Sequence, residues 1–159
     1  MLKVKRLEDG AILPTVAHPG KDLGFDLYAL EDVFLQPGVR AFVRTGVSAS
    51  FHLSHQDART FGLLLKDRSS IAAKGVTVSA GVIDAGYTGE LKVIMTSHAI
   101  AFTIKAGDRI AQMLPTEVFT GESIEEVMAL EDSARGTGGF GSTGDLAFTA
   151  CSSGGFGLY

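Results

Sequence analysis

Residues 39–51 alternate with a period of two. Val39, Ala41, Val43, Thr45, Val47, Ala49 and Phe51 fall on one face of an extended chain, and Arg40, Arg44, Ser48 and Ser50 fall on the other. A helix would scatter these apolar positions around its circumference, so the stretch predicts a half-buried strand. Segments 61–65, 91–95 and 109–119 continue the theme with more buried faces. Turn signals separate them at Pro37-Gly38, at 86–89 and at Ala106-Gly107-Asp108. Many short strands at close spacing predict an all-β fold, a sandwich or barrel, rather than alternating βαβ units. A single short helix is expected around Ser70 to Lys74, and 53–60 reads as a polar surface loop.

At 159 residues the chain can bury one core. Residues 1–134 are expected to form it, and 135–159 a glycine-rich arm and tail that cannot pack a core of their own. A net charge of -4, with no segment concentrating Lys and Arg, argues against a nucleic-acid partner. The single cysteine, Cys151, excludes an internal disulfide and suits a reducing compartment, so a cytoplasmic location is expected. No apolar run reaches the length of a membrane span, and Met1 to Arg6 is not followed by an apolar core. Neither an anchor nor a signal peptide is expected.

Five stretches carry candidate chemistry. Gly24-Phe25-Asp26-Leu27-Tyr28-Ala29 sets an acid in an apolar strand, where an Asp commonly caps a turn or bonds backbone N–H groups. Asp67-Arg68-Ser69-Ser70-Ile71-Ala72 offers a guanidinium and two hydroxyls at a strand-to-helix junction. That suits a phosphate, or equally a plain N-cap by Ser69 or Ser70. Residues 81–90 read as a hairpin in which Asp84 and Tyr87 flank the turn and can face a pocket, or merely form it. Gln112, within Gly107-Asp108-Arg109-Ile110-Ala111-Gln112-Met113-Leu114, places an amide in an apolar strand. Finally, Arg135 to Gly144 packs five glycines, an arginine, Phe140 and the Ser142-Thr143 hydroxyls into ten residues. Such a backbone can wrap a polyphosphate while its aromatic meets a flat ring, although many glycine tracts are only linkers. Gly154-Gly155-Phe156-Gly157 echoes it without the flanking Arg and hydroxyls.

In this order and at this spacing, the five stretches resemble the five motifs of the trimeric dUTP pyrophosphatases (dUTPases). The resemblance runs from about Gly24 to Gly144 and implies the β-clip, jelly-roll-like fold of that family. It further implies a homotrimer with shared active sites, and cleavage of dUTP to dUMP and pyrophosphate. By the resemblance, Asp84 is the base that activates water toward the α-phosphorus, and Tyr87 stacks under deoxyribose and excludes a 2′-hydroxyl. The backbone around Gly81, Val82, Ile83 and Lys92 reads uracil. Arg68, Ser69, Ser70 and Gln112 hold the phosphates. Arg135, Phe140, Gly141, Ser142 and Thr143 belong to an arm that orders over bound nucleotide. Mg²⁺ is expected on the triphosphate, with Asp26 supporting it through water.

The chain departs from that pattern in places. Asp67, preceded by Lys66, stands where the family usually has proline, and its carboxylate is expected to repel the triphosphate unless it is neutralised or points away. Ser70 replaces a frequent glycine. Val78 occupies a position that some members fill with Asn, which leaves base recognition to the main chain. The 53–60 loop is longer than usual, and the tail from Asp145 has no family role. Two other readings compete: a dCTP deaminase, which shares the fold, and a non-catalytic dUTP-binding regulator.

Overall fold

The structure, a computed structural model, describes residues 1–52, 60–118 and 124–134. The expected 53–60 loop (apart from Thr60), the arm and the tail lie outside them. The chain divides into two compact units, Met1–Thr120 and Gly121–Tyr159. The described part of the second unit, 124–134, is exposed and carries neither strand nor helix.

The first unit is nearly all β, as expected. Among the described residues its strands are β1 (Leu2–Arg6), β2 (Phe25–Tyr28), β3 (Val33–Leu35), β4 (Arg40–Val43), β5 (Val47–His52), β6 (Thr60–Asp67), β7 (Val76–Ser79), β8 (Val82–Ile83), β9 (Val93–Ser97), β10 (Phe102–Ile104) and β11 (Arg109–Glu117). They form three antiparallel sheets. One runs β1-β5-β6-β11-β2 with β8 added on β6, another is β4-β9-β7, and the third is β10-β3. All three feed one apolar cluster, with Leu27, Leu35, Val43, Val47, Val93, Met95, Ile104, Ile110 and Met113 almost wholly enclosed. Burying each such side chain contributes roughly 1.5–3 kcal/mol, offset by the entropy of ordering the chain.

The alternating stretch 39–51 is broken into two strands of different sheets, β4 and β5. The break falls at Gly46, whose φ of +67° lets the chain turn from one sheet to the other. The inward positions Ala41, Val43, Thr45, Val47, Ala49 and Phe51 remain buried or half-buried through the break, whereas Val39 is exposed. The face expected to meet solvent is in part covered. Ser48 is buried, and its hydroxyl donates to the Thr88 carbonyl at 2.8 Å.

Two further expectations shift. The helix, α1 (Ser69–Ala72), is a single turn ending before Gly75, at φ +73°. Its N-cap is Arg68 and no side chain caps it, so neither serine serves as an N-cap. Residues 81–90 do not form a two-stranded hairpin: β8 pairs with β6, while β9 pairs with β4 and β7 in another sheet. The segment between them is a corner that crosses from sheet to sheet.

Gly46 is a tight point of this frame. A Cβ there would stand 2.8 Å from Ala11 Cβ and 3.1 Å from Leu30 Cδ1, on a backbone that L-residues rarely adopt. Gly46→Ala is expected to destabilise the fold by roughly 1–3 kcal/mol, read as a lower denaturation midpoint at unchanged m-value. An unchanged midpoint would contradict the packing described.

Candidate functional site

Most of the described candidate residues gather in two depressions; Ser70 and Gly81 line neither. The first, about 570 Å³, is lined by Arg68, Ser69, Gln112 and Asp26 together with Lys21 and Arg109. The second, about 250 Å³, is lined by Asp84, Tyr87, Val82, Ile83, Lys92 and Glu90 among others. No residue lines both.

The first depression is organised by Asp26. Its Oδ1 accepts from Arg68 Nε at 2.9 Å and its Oδ2 from Arg109 Nη1 at 3.3 Å, with the carboxylate largely enclosed. One acid thus fixes two guanidinium groups. Both arginines line the depression, and Arg68 Nη1 also donates to Ser70 Oγ at 3.5 Å. The acid expected to serve a backbone turn, or a metal, therefore has arginines as its direct partners. Ser69 lines the cavity, and its hydroxyl makes no hydrogen bond among the described residues. Gln112 Nε2 donates to the Asp67 carbonyl at 3.0 Å, which fixes the amide plane.

Asp67 does not point at the cavity. Its Oδ1 accepts from Val78 N at 3.1 Å, a bond to the backbone of β7, and Asp67 does not line the depression. Of the two ways expected to relieve its repulsion, the structure shows the carboxylate turned away toward β7.

The segment 81–91 is held at both ends. At its start Leu63↔Ile83 and Leu64↔Val82 pair, and Leu65 N donates to the Gly81 carbonyl at 2.7 Å. Gly81 lies so close to β6 that a Cβ would stand 2.2 Å from Leu65 O, so only glycine fits. At its end the mostly buried Glu90 carboxylate accepts from Arg44 Nε at 3.1 Å and from Gly46 N at 2.9 Å. Leu91 N donates to Val47 O, and the Thr45 hydroxyl donates to Leu91 O at 2.6 Å. Hydrogen bonds to Glu8 first, then Glu90, raise the Arg44 guanidinium above its usual pKa, so the clamp keeps its charge.

Between these clamps, Tyr87 N closes a turn onto Asp84 O at 3.0 Å, and Tyr87 Oη donates to Glu90 O at 3.1 Å. With its hydroxyl occupied and Gly89 beneath it, the ring is left as a flat exposed wall. Asp84 is exposed, and its carboxylate makes no hydrogen bond or ion pair among the described residues. Its oxygens are open to accept a proton from water.

Reading the motifs overlooked Arg109, although it sits in the same stretch as Gln112, and it overlooked the turn from His18 to Asp22. There His18 N donates to Asp22 Oδ2 at 2.8 Å, and Lys21 is brought to the cavity without an acidic partner among the described residues. The Pro19-Gly20 pair was the available signal, with Gly20 at φ +76°. Arg135, Phe140, Gly141, Ser142 and Thr143 lie outside the described residues.

Among the described residues, no three His, Cys, Asp or Glu side chains gather as a metal site. None of the helices of the described residues is long and apolar enough to cross a membrane.

Comparison with known proteins places this geometry. The dUTPase family model matches residues 9–144. The deoxyuridine 5'-triphosphate nucleotidohydrolase of Solibacter usitatus is 44% identical over 148 residues, covering 90% of this chain and 95% of that protein. Its counterpart in Clostridioides difficile is 42% identical over 147 residues, covering 90% and 97%. Among solved structures, a variant of the Staphylococcus bacteriophage 80alpha dUTPase with dUpNHpp superposes with a TM-score of 0.78 at 27% identity, covering 91% of this chain and 99% of that one. A variant dUTPase from phage phi11 of S. aureus, whose structure describes coordination of a structural Mg(II) ion, superposes with a TM-score of 0.72 at 26% identity, covering 83% and 99%.

Proposed function

The chain belongs to the dUTPase family and hydrolyses dUTP to dUMP, and from that premise we propose how its own residues divide the work. Asp84 is the general base. It orients a water and takes its proton as the water oxygen bonds to the α-phosphorus; the bond from that phosphorus to the bridging oxygen breaks, and pyrophosphate leaves. The observation that carries this reading is an exposed Asp84 carboxylate, without a partner among the described residues, beside the Tyr87 wall.

Tyr87 packs under the deoxyribose and leaves no room for a 2′-hydroxyl. The main chain of Gly81, Val82 and Ile83, with Lys92, reads uracil. A backbone held this closely on β6 cannot retreat from a C5-methyl, and it leaves the amino group of cytosine unpaired. Arg68, Ser69, Ser70 and Gln112 hold the phosphates, with Arg109 and Lys21 adding positive charge at the same cavity. Residues 135–144 fall inside the family match and supply the remaining contacts: Arg135, Gly141, Ser142 and Thr143 to phosphate, Phe140 to the base.

The described residues do not fit a protein-held metal, since both Asp26 oxygens are engaged by arginines. They fit a magnesium–triphosphate taken up as one substrate, in which Mg²⁺ spreads the negative charge of the phosphates. Asp26 then acts chiefly by holding Arg68. The single cysteine supports a reducing, cytoplasmic setting for the reaction.

The base and the phosphate cradle occupy separate depressions of one chain, which supports a homotrimer in which each site draws on more than one subunit.

Three outcomes follow. In a pyrophosphate-release assay, dUTP is turned over in preference to UTP, dTTP and dCTP, and Asp84→Asn lowers kcat by more than ~100-fold while dUTP affinity is kept. Comparable turnover of UTP, or an active Asp84→Asn protein, contradicts the assignment. Mixing subunits carrying Asp84→Asn with subunits carrying Arg68→Ala restores activity that neither has alone, because some sites of a mixed trimer combine an intact base with an intact arginine. A mixture that stays inactive after subunit exchange rules out sharing of these two groups. Asp26→Asn weakens dUTP binding about three- to tenfold, equally with Mg²⁺ and with EDTA, because the loss acts through arginine. A loss seen only with Mg²⁺ would assign Asp26 to the metal.

A further inference from the structure

We infer that Asp67 is a positioning residue for hydrolysis, whose side-chain hydrogen bond to β7 fixes the segment that carries the catalytic base, from a position that also borders the phosphate cradle. The inference rests on the roles given above to Arg68 and Asp84. Along one edge of β6 the partners succeed one another in register: Ile83 opposite Leu63, Val82 opposite Leu64, then Gly81 O accepting from Leu65 N at 2.7 Å. Beyond that point the ladder cannot continue, because Ala80 turns the chain away with φ +50°, a left-handed backbone that a residue bearing a Cβ adopts only under constraint.

Asp67 supplies the next link with its side chain. Its Oδ1 accepts from Val78 N at 3.1 Å, so the left-handed corner is tied to β6 on both sides, at Val78 before it and at Gly81 after it. The corner launches Gly81 to Asp84. The same residue bears on the cradle: its carbonyl accepts from Gln112 Nε2 at 3.0 Å, and it directly precedes Arg68, whose Nε reaches Asp26 at 2.9 Å.

Losing the side-chain bond loosens the corner on its Val78 side, while the phosphate contacts and the links of Gly81, Val82 and Ile83 to β6, on which the uracil contacts depend, stay in place. The consequence falls on attack geometry, where a displacement of about 1 Å costs up to ~100-fold in rate. KM is therefore less affected than kcat.

The test compares full-length Asp67→Ala and Asp67→Asn proteins on dUTP, at a temperature where circular dichroism shows both folded. Active sites are counted by titration with a non-hydrolysable dUTP analogue. Asp67→Ala is expected to lower kcat per counted site about tenfold with KM within about twofold, and Asp67→Asn, whose amide oxygen still accepts from Val78 N–H, to restore most of it. Unchanged kcat per site in Asp67→Ala would reduce the bond to a structural one and overturn the inference. An Asn variant as impaired as the Ala variant would overturn it too, as would a lower KM at unchanged kcat in both variants, the signature of a carboxylate acting on the triphosphate by charge. Asp84→Asn run alongside separates the cases: if that protein turns over, the site assignment has failed rather than the role of Asp67.

Discussion

Much of what positions the candidate residues, among those described, hangs on the two edges of β6. One edge is filled by β11 over seven paired positions from Ala111↔Asp67 to Glu117↔Phe61. The other is filled first by β5 at Phe51↔Phe61, then by β8, then by single bonds to Gly81 and Val78. A backbone buried on both sides must have its polar groups paired, so neither neighbour can slide without leaving donors unsatisfied. Gln112 rides on the first edge and the Gly81–Asp84 segment on the second. The strand end itself delivers Arg68. The two groups of candidate residues, which share no cavity within one chain, thereby share a common ruler.

How much of this was legible in the sequence depends on the range of the interactions concerned. Alternation at 39–51 reports local backbone geometry, and the buried face it marks survives even where the strand breaks. The break does not show in the pattern, because Gly46 is one glycine among many and its crowding by Ala11 and Leu30 arises from distant chain. The hairpin reading of 81–90 failed for a related reason. Apolar runs flanking a glycine-rich turn predict that the two runs pair with each other, yet Val82 and Ile83 found a free edge on β6 and left β9 to another sheet. Competition between sheet edges cannot be judged from a single segment.

The site itself was legible as a set of residue types and much less as a set of contacts. Asp84 and Tyr87 were marked by the turn between them, and both line one cavity. Asp26 was visible as an acid out of place, but nothing local names Arg68 and Arg109 as its partners, more than forty and eighty residues away. Asp67 shows the limit most clearly. By type it is a carboxylate beside a phosphate-binding arginine, which reads as a defect; by orientation it is an acceptor for β7. Only the direction of one side chain separates the two, and that direction is set by where β7 lies.

Charge is the remaining lever, and here the average misleads about the part. The chain carries a net charge of -4, which disfavours long polyanions at ordinary distances. Around the phosphate cavity the balance is reversed, with Lys21, Arg68 and Arg109 facing only Asp22 and Asp26. Both acids are already engaged, Asp26 by the two arginines and Asp22 by His18. At a screening length of about 8 Å in physiological salt, a small triphosphate that enters the cavity responds to these nearest charges. On the proposed reading, this local excess of positive charge lets an acidic protein receive a short polyanion. It also explains why Asp26 can sit among phosphate ligands without opposing them: its charge is spent locally on holding two cations in place, and those cations are what the nucleotide meets.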